Sequence, residues 1–420
     1  MVRTTLAPVS QLHPLRSRHQ VVPPALRIAD GAAAAVFAAV RLRGPVARDA
    51  IAGSTKLSIA TVNRQVTALL EAGLLRERAD LATSGAIGRP RVPVEVNHEP
   101  YLTVGVHIGA KTTSIVATDL FGRTLDAVET PTPRGAQGSA LAALAASVQR
   151  YLSRWHRRQT LWIGVATGGT VDSARGVVDH PRLGWNQAPA GPVLADTLGL
   201  PVSVAAHVDA MAAAELLLGV RRLNAPATSL YVYARETVGY ALIIDGRVHS
   251  PSSGPGTIAN LPAHSELLGG TGVLETTVSD EAVVAAARRS GILAGPGSQV
   301  ATVAAVVTAA RRGNEAAQRL LAERARVLGE AVALLRDLLN PDDLVVGGQA
   351  FTEYSETITG VVGAYAQKSV LAPREVRITA FGNRVQEVGA GVVSLGALYA
   401  DPLGALRRAT RAYLGCGRLV

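Results

Sequence analysis

The chain has 420 residues, of which 48% are hydrophobic, and a formal net charge of +10 at pH 7. This length exceeds one ordinary domain and predicts several folded units. The basic balance suits a nucleic acid or an anionic surface, but no run of 18 apolar residues exists, so we expect no membrane-spanning segment and no membrane partner. The first 100 residues hold 13 basic and 7 acidic side chains, which places most of the positive excess at the front.

The cysteine content and the N-terminal sequence favour a cytoplasmic protein. A single cysteine, Cys416, excludes an intramolecular disulfide and a cysteine zinc cluster. Residues 1–28 lack the apolar core of a signal peptide, so we expect a flexible arm there. No Walker A, HExxH or GxGxxG motif is present, and we predict no cofactor and no metal.

Three helices are expected after the arm. The first covers 32–42, and the second covers 47–52 and should break at Gly53. Ser58 is a good N-cap for the third helix, whose apolar residues recur at helical spacing until Ala72-Gly73 stops it.

The polar residues of the third helix are those that a recognition helix needs. Its N-terminal half must enter the major groove, where side chains read base edges or hold phosphates. The candidate residues in and just before this helix are Lys56, Ser58, Thr61, Asn63 and Arg64.

A basic turn follows between two short strands, predicted at 74–78 and 92–96. The turn carries Gly88-Arg89-Pro90-Arg91, and an arginine on a stiff turn can sit in a narrow minor groove. Arg89 and Arg91 are therefore candidate wing contacts. Alternatively, the helices form a small packing domain with solvated arginines, but such a domain needs no paired arginines on a rigid turn. The segment predicts a winged helix-turn-helix that binds double-stranded DNA.

An α/β body of two lobes is predicted behind this head. In the first lobe, strands are expected at 102–108, 113–119, 124–129, 161–166 and 202–205, and helices at 139–155, 192–198 and 208–218. In the second lobe, strands are expected at 230–233, 239–244 and 344–346, and helices at 280–290, 300–311 and 314–339.

The order of these motifs resembles the regulator branch of the ROK family of repressors and sugar kinases. After the helix-turn-helix and the GRP wing, the resemblance rests on residues 105–111, 164–172, 198–202 and 243–247. It implies an actin-like (ribonuclease-H-like) two-lobed domain behind a DNA-binding head. It also implies a homodimer or homotetramer, with sugars or their derivatives as effectors.

The predicted domain boundaries combine both lines of reasoning. We expect an arm at 1–28, the winged helix-turn-helix at 29–97, a first lobe at 98–225, a second lobe at 226–388 and a tail at 401–420. A helix at 389–400 should pack back on the first lobe.

The positions that carry phosphoryl transfer in the family kinases are changed here. The family's catalytic Asn-Asp pair is Ala206-His207, and histidine alone could still act as a base. The phosphate loop Asp-x-Gly-Gly-Thr has lost its aspartate, second glycine and threonine, and the second loop and the adenosine-site glycines also differ. The residues in these three segments are His107, Ala110 and Lys111; Arg235-Glu236-Thr237; and Gly347-Gly348-Gln349. Because the catalytic aspartate, the metal-binding aspartate and the phosphate-binding loops are all changed, we expect no kinase activity.

The sugar and zinc positions of the family are changed as well. Its Glu-x-Gly-His segment corresponds to residues 257–260, which end in Asn260, and its zinc knuckle corresponds to 266–273, without any cysteine. Arg182 stands where the family has asparagine, and Glu275 is retained.

These substitutions define a candidate effector cleft, which the resemblance implies between the lobes. Its residues are Lys111, Gly169, Arg182, His207, Asp209, Arg235, Asn260 and Glu275. One interpretation is a vestigial cleft filled with water. The other is that Lys111, Arg182 and Arg235 favour an anionic effector, such as a sugar phosphate, over a neutral hexose.

The sequence thus predicts a sequence-specific transcriptional regulator, a homodimeric repressor with a kinase-like sensor. Two alternatives stay open: a DNA-binding protein with residual sugar kinase activity, and a regulator controlled by a protein partner of its body.

Overall fold

The computed structural model describes residues 20–28, 30–82, 92–219, 227–251, 254–293, 301–354, 356–372 and 374–415. The chain divides into two compact units. Unit 1 comprises Met1–Ala25, Ala29–Ala205 and Val393–Val420, and unit 2 comprises Leu26–Ile28 and Ala206–Val392. Both units mix helices and sheets, so the predicted α/β class is confirmed.

Unit 1 begins with a helical head and a short hairpin. Its elements are α1 (Ala32–Arg43), α2 (Arg48–Thr55), α3 (Ile59–Glu71), β1 (Leu75–Glu77) and β2 (Val94–Val96), and the two strands pair antiparallel. Val62, Val66 and Leu69 of α3 are fully buried, as their helical spacing predicts. The Ser58 hydroxyl accepts a hydrogen bond from the Thr61 amide at 3.2 Å and so caps α3.

The expected break at Gly53 is wrong, because α2 continues to Thr55. The hydroxyls of Ser54 and Thr55 donate to the Ile51 carbonyl, and the Ile51 side chain is fully buried. Burial of this side chain outweighs the cost of about 1 kcal/mol for a glycine inside a helix. Lys56, in the left-handed conformation with φ of 57°, ends α2.

The remainder of unit 1 is built around a five-stranded sheet. Its elements in chain order are β3 (Tyr101–Ile108), β4 (Thr112–Thr118), β5 (Thr124–Pro131), α4 (Gln137–Leu152), β6 (Gln159–Thr167), β7 (Thr170–Asp172), β8 (Val177–His180), β9 (Trp185–Ala188), α5 (Ala190–Leu198) and β10 (Val202–Ala206). The large sheet has the order β10-β6-β3-β4-β5, in which β3 is antiparallel to β4 and parallel to β6. The small sheet β7-β8-β9 is absent from the sequence prediction because its strands are only three or four residues long.

Unit 2 is built around a six-stranded sheet. Its helices are α6 (His207–Leu218), α7 (Leu274–Val278), α8 (Asp280–Arg289), α9 (Val303–Arg311), α10 (Glu315–Leu339), α11 (Gln349–Thr352) and α12 (Glu356–Lys368). Its strands are β11 (Thr228–Ala234), β12 (Val238–Ile244), β13 (Arg247–His249), β14 (Gly256–Thr257), β15 (Asp343–Gly347) and β16 (Val376–Ile378). The order is β13-β12-β11-β15-β16, and β14 pairs with β12. Helix α10 carries a buried arginine, Arg324, which donates to the Val278 carbonyl and to Asp280, both at 2.7 Å.

Two helices complete the described chain, α13 (Val385–Ala400) and α14 (Pro402–Gly415). Helix α14 occupies residues 402–415 of the expected tail at 401–420. Pro402, Ala405 and Ala409 form its buried side, which packs against β6, α1 and α3, whereas Arg407 and Arg408 are exposed. The small apolar residues of this side explain why the helix escaped prediction.

Two further boundaries differ from the expected ones. Within the expected arm, Val22 donates to the Val202 carbonyl in unit 1, and Ile28 donates to the Gly246 carbonyl in unit 2. Helix α6, expected in the first lobe, belongs to unit 2, where it packs on β11, β12 and β13.

Across the described ranges, no single helix is both long and apolar enough to cross a membrane. One pair, Gly382–Ala400 with Pro402–Tyr413, meets that description only jointly and is bent by 110°.

Helix α6 buries a carboxyl group, that of Asp209, whose residue is only 4% exposed. Within the described part of the chain, its Oδ1 atom has no hydrogen-bond partner. Burial raises the pKa of Asp209 to about 6, against the smaller opposing effect of a hydrogen bond with Ser250. At neutral pH the fold therefore holds a buried carboxylate that is incompletely compensated.

We predict that Asp209→Asn stabilises the protein at neutral pH. The unfolded carboxyl titrates near 4 and the folded one near 6, so the cost of ionisation develops between these values and persists above them. Urea unfolding at pH 7.5 should show a gain on the order of 2–3 kcal/mol, which disappears near pH 4. Asp337→Asn is the control and should lower the stability at neutral pH, because a hydrogen bond from Ser369 lowers the pKa of Asp337 in the folded protein. A gain for Asp209→Asn that does not change with pH would contradict this account.

Candidate DNA-binding surface and kinase-like site

The exposed side of α3 forms a continuous stripe along the helix. Residues at successive helical turns lie on this side, and it is opposite to the buried Val62, Val66 and Leu69. The exposed residues are Ile59, Ala60, Asn63, Arg64, Thr67 and Glu71. Within the described residues, the side chains of Asn63 and Arg64 have neither a hydrogen bond nor an ion pair. Neither side chain is therefore held by another residue of the described ranges.

Three other predicted DNA-contacting residues lie at the start of α3. Lys56 is exposed in the turn before the helix. The Ser58 hydroxyl donates to the Thr61 hydroxyl at 2.9 Å in addition to its capping role, and Thr61 is partly buried. Ser58 and Thr61 thus satisfy each other's hydrogen-bonding groups, and their first role is to cap the start of the helix.

The base of the wing carries an ion-pair network that sequence reasoning missed. Glu95 on β2 accepts from Arg76 Nε at 2.6 Å and from Arg78 at 2.8 Å, and Arg78 also pairs with Asp80 at 2.6 Å. Burial by itself would raise the pKa of Glu95, but the hydrogen bonds from Arg76 and Arg78 outweigh it and lower the pKa. These two arginines therefore stabilise the hairpin, and their charge is largely compensated.

The wing turn itself falls in residues 83–91, which lie outside the described residues. Arg89 and Arg91 therefore stay predictions.

The head is attached to the remainder of unit 1 through Tyr399 at the end of α13. The guanidinium carbon of Arg41 lies 4.1 Å from the centroid of the Tyr399 ring, and the Phe37 ring lies 6.5 Å away. The Tyr399 hydroxyl donates to the Leu120 carbonyl at 3.1 Å, next to the five-stranded sheet. With α14 against α1 and α3, these contacts fix the orientation of α3 on unit 1.

Three predicted effector-cleft residues belong to unit 1. Lys111 is exposed in the turn between β3 and β4, where its carbonyl accepts from the Thr132 amide, and His107 is buried in β3. Gly169 has φ of +80°, and a Cβ atom there would lie 2.1 Å from the Asp179 carbonyl oxygen, so only glycine fits. Arg182 is exposed in the turn after β8.

Two cleft residues in unit 2 are connected by a relay of side chains. The His207 ring, at the start of α6, lies 5.4 Å from the Tyr233 ring. The Tyr233 hydroxyl accepts from Gln386 Nε2 at 2.6 Å, and Gln386 Oε1 accepts from Arg235. Burial raises the pKa of Tyr233 well above its usual range, so its hydroxyl stays protonated.

Arg235 occupies a tight turn between β11 and β12, where its amide donates to the Thr237 carbonyl at 3.1 Å. Glu275 Oε2 accepts from the Val238 amide at 3.4 Å, and Asn260 is exposed. Unit 2 therefore brings His207 and Arg235 together through Tyr233 and Gln386, a connection of residues distant in sequence.

In the portion of the chain that the structure describes, no group of three or more acidic, histidine or cysteine side chains could hold a metal ion.

Comparison with known proteins relates the chain to a family in both sequence and fold. A family model described as ROK family matches residues 103–396. A transcriptional regulator of Mycobacterium tuberculosis is 72% identical over 403 residues, which cover 94% of this chain and 92% of the relative. The crystal structure of a ROK family transcriptional regulator, a homologue of the Escherichia coli MLC protein, superposes with a TM-score of 0.73 at 22% identity. That match covers 90% of this chain and 98% of the other.

The kinases of the family share the fold. A ROK family glucokinase from Streptomyces griseus, in complex with glucose and AMPPNP, superposes with a TM-score of 0.61 at 23% identity, covering 70% of this chain and 99% of the kinase. The predicted actin-like body behind a helix-turn-helix head is confirmed at the level of fold. The chain belongs to the ROK family.

Proposed function

We propose that this chain is a sequence-specific DNA-binding transcriptional regulator. The observation that carries the proposal is the exposed stripe of α3, where Asn63 and Arg64 are without partners in the described residues. An amide and a guanidinium are the groups that bind adenine and guanine edges in the major groove. The relative at 72% identity, named as a transcriptional regulator, supports the proposal.

The regulator acts as a homodimer whose two heads occupy half-sites one or two helical turns apart. Because Tyr399 and α14 hold α3 on unit 1, a rearrangement of the body changes the separation of the two recognition helices. An effector bound to the kinase-like body is the signal. The sign of regulation that we propose is repression, which relatives named as repressors support.

The body of this regulator does not transfer phosphate. Position 107 carries a buried histidine in place of the metal-binding aspartate, and the second phosphate loop is occupied by the Arg235 turn. Phosphoryl transfer depends on a metal ion, a cradle for the phosphates and a positioned base. Lys111 and Arg182, both exposed in unit 1, instead give that unit cationic groups that suit an anionic effector.

Residual sugar kinase activity is the second candidate, since the glucokinase fold covers 70% of the chain.

We predict that Arg64→Ala lowers affinity for the operator by about 1–3 kcal/mol and relaxes specificity at one base pair.

Arg91→Ala should weaken binding to all sequences alike and reduce the salt slope by about 1, because it removes one phosphate contact. Shift assays at several salt concentrations measure both quantities. Arg319→Ala, an exposed arginine of α10 in unit 2, is the control and should bind as the wild type does. Wild-type binding by both head variants would contradict the placement.

One calorimetric and kinetic series separates an anionic effector from kinase activity. The purified chain is titrated with glucose 6-phosphate, with glucose, and with MgATP in the presence of glucose, and ATP consumption is followed by a coupled assay. We predict heat with the sugar phosphate, none with glucose, and no glucose-dependent ATP consumption. Binding of neutral sugar alone contradicts the anionic effector, and steady glucose-dependent ATP consumption contradicts the loss of phosphoryl transfer.

A further inference from the structure

An isoleucine is exposed at the first turn of the recognition helix. Ile59 is 50% exposed, whereas Val62, Val66 and Leu69 of the same helix are fully buried and Leu70 is partly buried. The neighbouring Ala60 is exposed as well. A single exposed isoleucine needs no explanation in general, but this one lies on the surface that carries Asn63 and Arg64.

The position of Ile59 on that surface follows from helix geometry. Residues i and i+4 lie on one face, so Ile59 lies one turn before Asn63, and Ala60 lies one turn before Arg64. Four residues rise about 6 Å along the helix axis, against about 3.4 Å between successive bases of one strand. Side chains one turn apart therefore reach bases one or two steps apart.

The polar groups of this first turn are already engaged. The Ser58 hydroxyl accepts from the Thr61 amide and donates to the Thr61 hydroxyl. The outward surface there is consequently the aliphatic side chain of Ile59 and the methyl group of Ala60. Among the four bases, only thymine offers an apolar group, its C5-methyl, to the major groove.

We propose that Ile59, flanked by Ala60, contacts the C5-methyl group of a thymine one or two steps from the base that Asn63 reads. The inference rests on the proposed function and deepens it, because it assigns an apolar specificity contact to the same surface. The predicted operator half-site therefore requires a thymine at one position, and it requires that thymine for its C5-methyl group.

The test removes that methyl group without changing base pairing. An operator duplex, recovered from genomic DNA with the full chain, is synthesised with deoxyuridine replacing one thymine of a half-site at a time. For the wild type, we expect one replacement to weaken binding about fourfold, the effect of one buried methyl-sized group, and the others to have little effect.

Ile59→Ala should bind the thymine duplex more weakly and no longer distinguish it from the deoxyuridine duplex. Alanine favours helix, so the variant should fold, which its thermal unfolding verifies. Leu81→Ala is the matched control, since Leu81 is an equally exposed aliphatic residue of the head outside α3 and should leave the thymine preference unchanged.

The outcomes separate this inference from the proposed function. Binding that is insensitive to every deoxyuridine replacement, or an Ile59→Ala variant that keeps the full thymine preference, overturns the role of Ile59 while DNA binding itself stands. Failure of the wild type to bind any genomic fragment overturns both.

Discussion

The contact between Tyr399 and the helical head determines how the recognition helix is held. Arg41 stacks on one side of the Tyr399 ring, Phe37 lies nearby, and the hydroxyl is bonded to Leu120 beside the five-stranded sheet. A cation over an aromatic ring contributes about 0.5–2 kcal/mol, and α14 adds packing against α1 and α3. The head therefore moves with unit 1, and a regulator of this design can transmit a change in its body as a change in helix spacing.

A division of labour within α3 follows from this attachment. The buried side anchors the helix, Ser58 and Thr61 begin it, and the exposed stripe remains for a partner. The arginines of the wing base make a different contribution, because Arg76 and Arg78 are committed to Glu95 and neighbouring carboxylates. Some basic residues of this head thus stabilise the hairpin through ion pairs, and only those whose charge is not compensated by a carboxylate suit DNA binding.

Local sequence signals predicted much of this fold, and long-range contacts explain the rest. The cap at Ser58 and the spacing of Val62, Val66 and Leu69 predict α3, and the predicted strands at 74–78 and 92–96 contain β1 and β2. Helix α14 was not predicted because its buried side is mostly alanine. The predicted end of α2 at Gly53 is wrong because the burial of Ile51 stabilises the helix beyond that residue. In the relay from His207 through Tyr233 to Arg235, the connecting residue Gln386 lies more than 150 positions from the other three, which no local pattern predicts.

Selection of genomic fragments by the purified full chain tests the central claim most directly. At a fixed salt concentration near 0.15 M, the account predicts a small set of enriched fragments that share two half-sites, with centres about 10 or about 21 base pairs apart. Uniform recovery of the genome, with no shared motif, would contradict a body that positions two recognition helices on DNA.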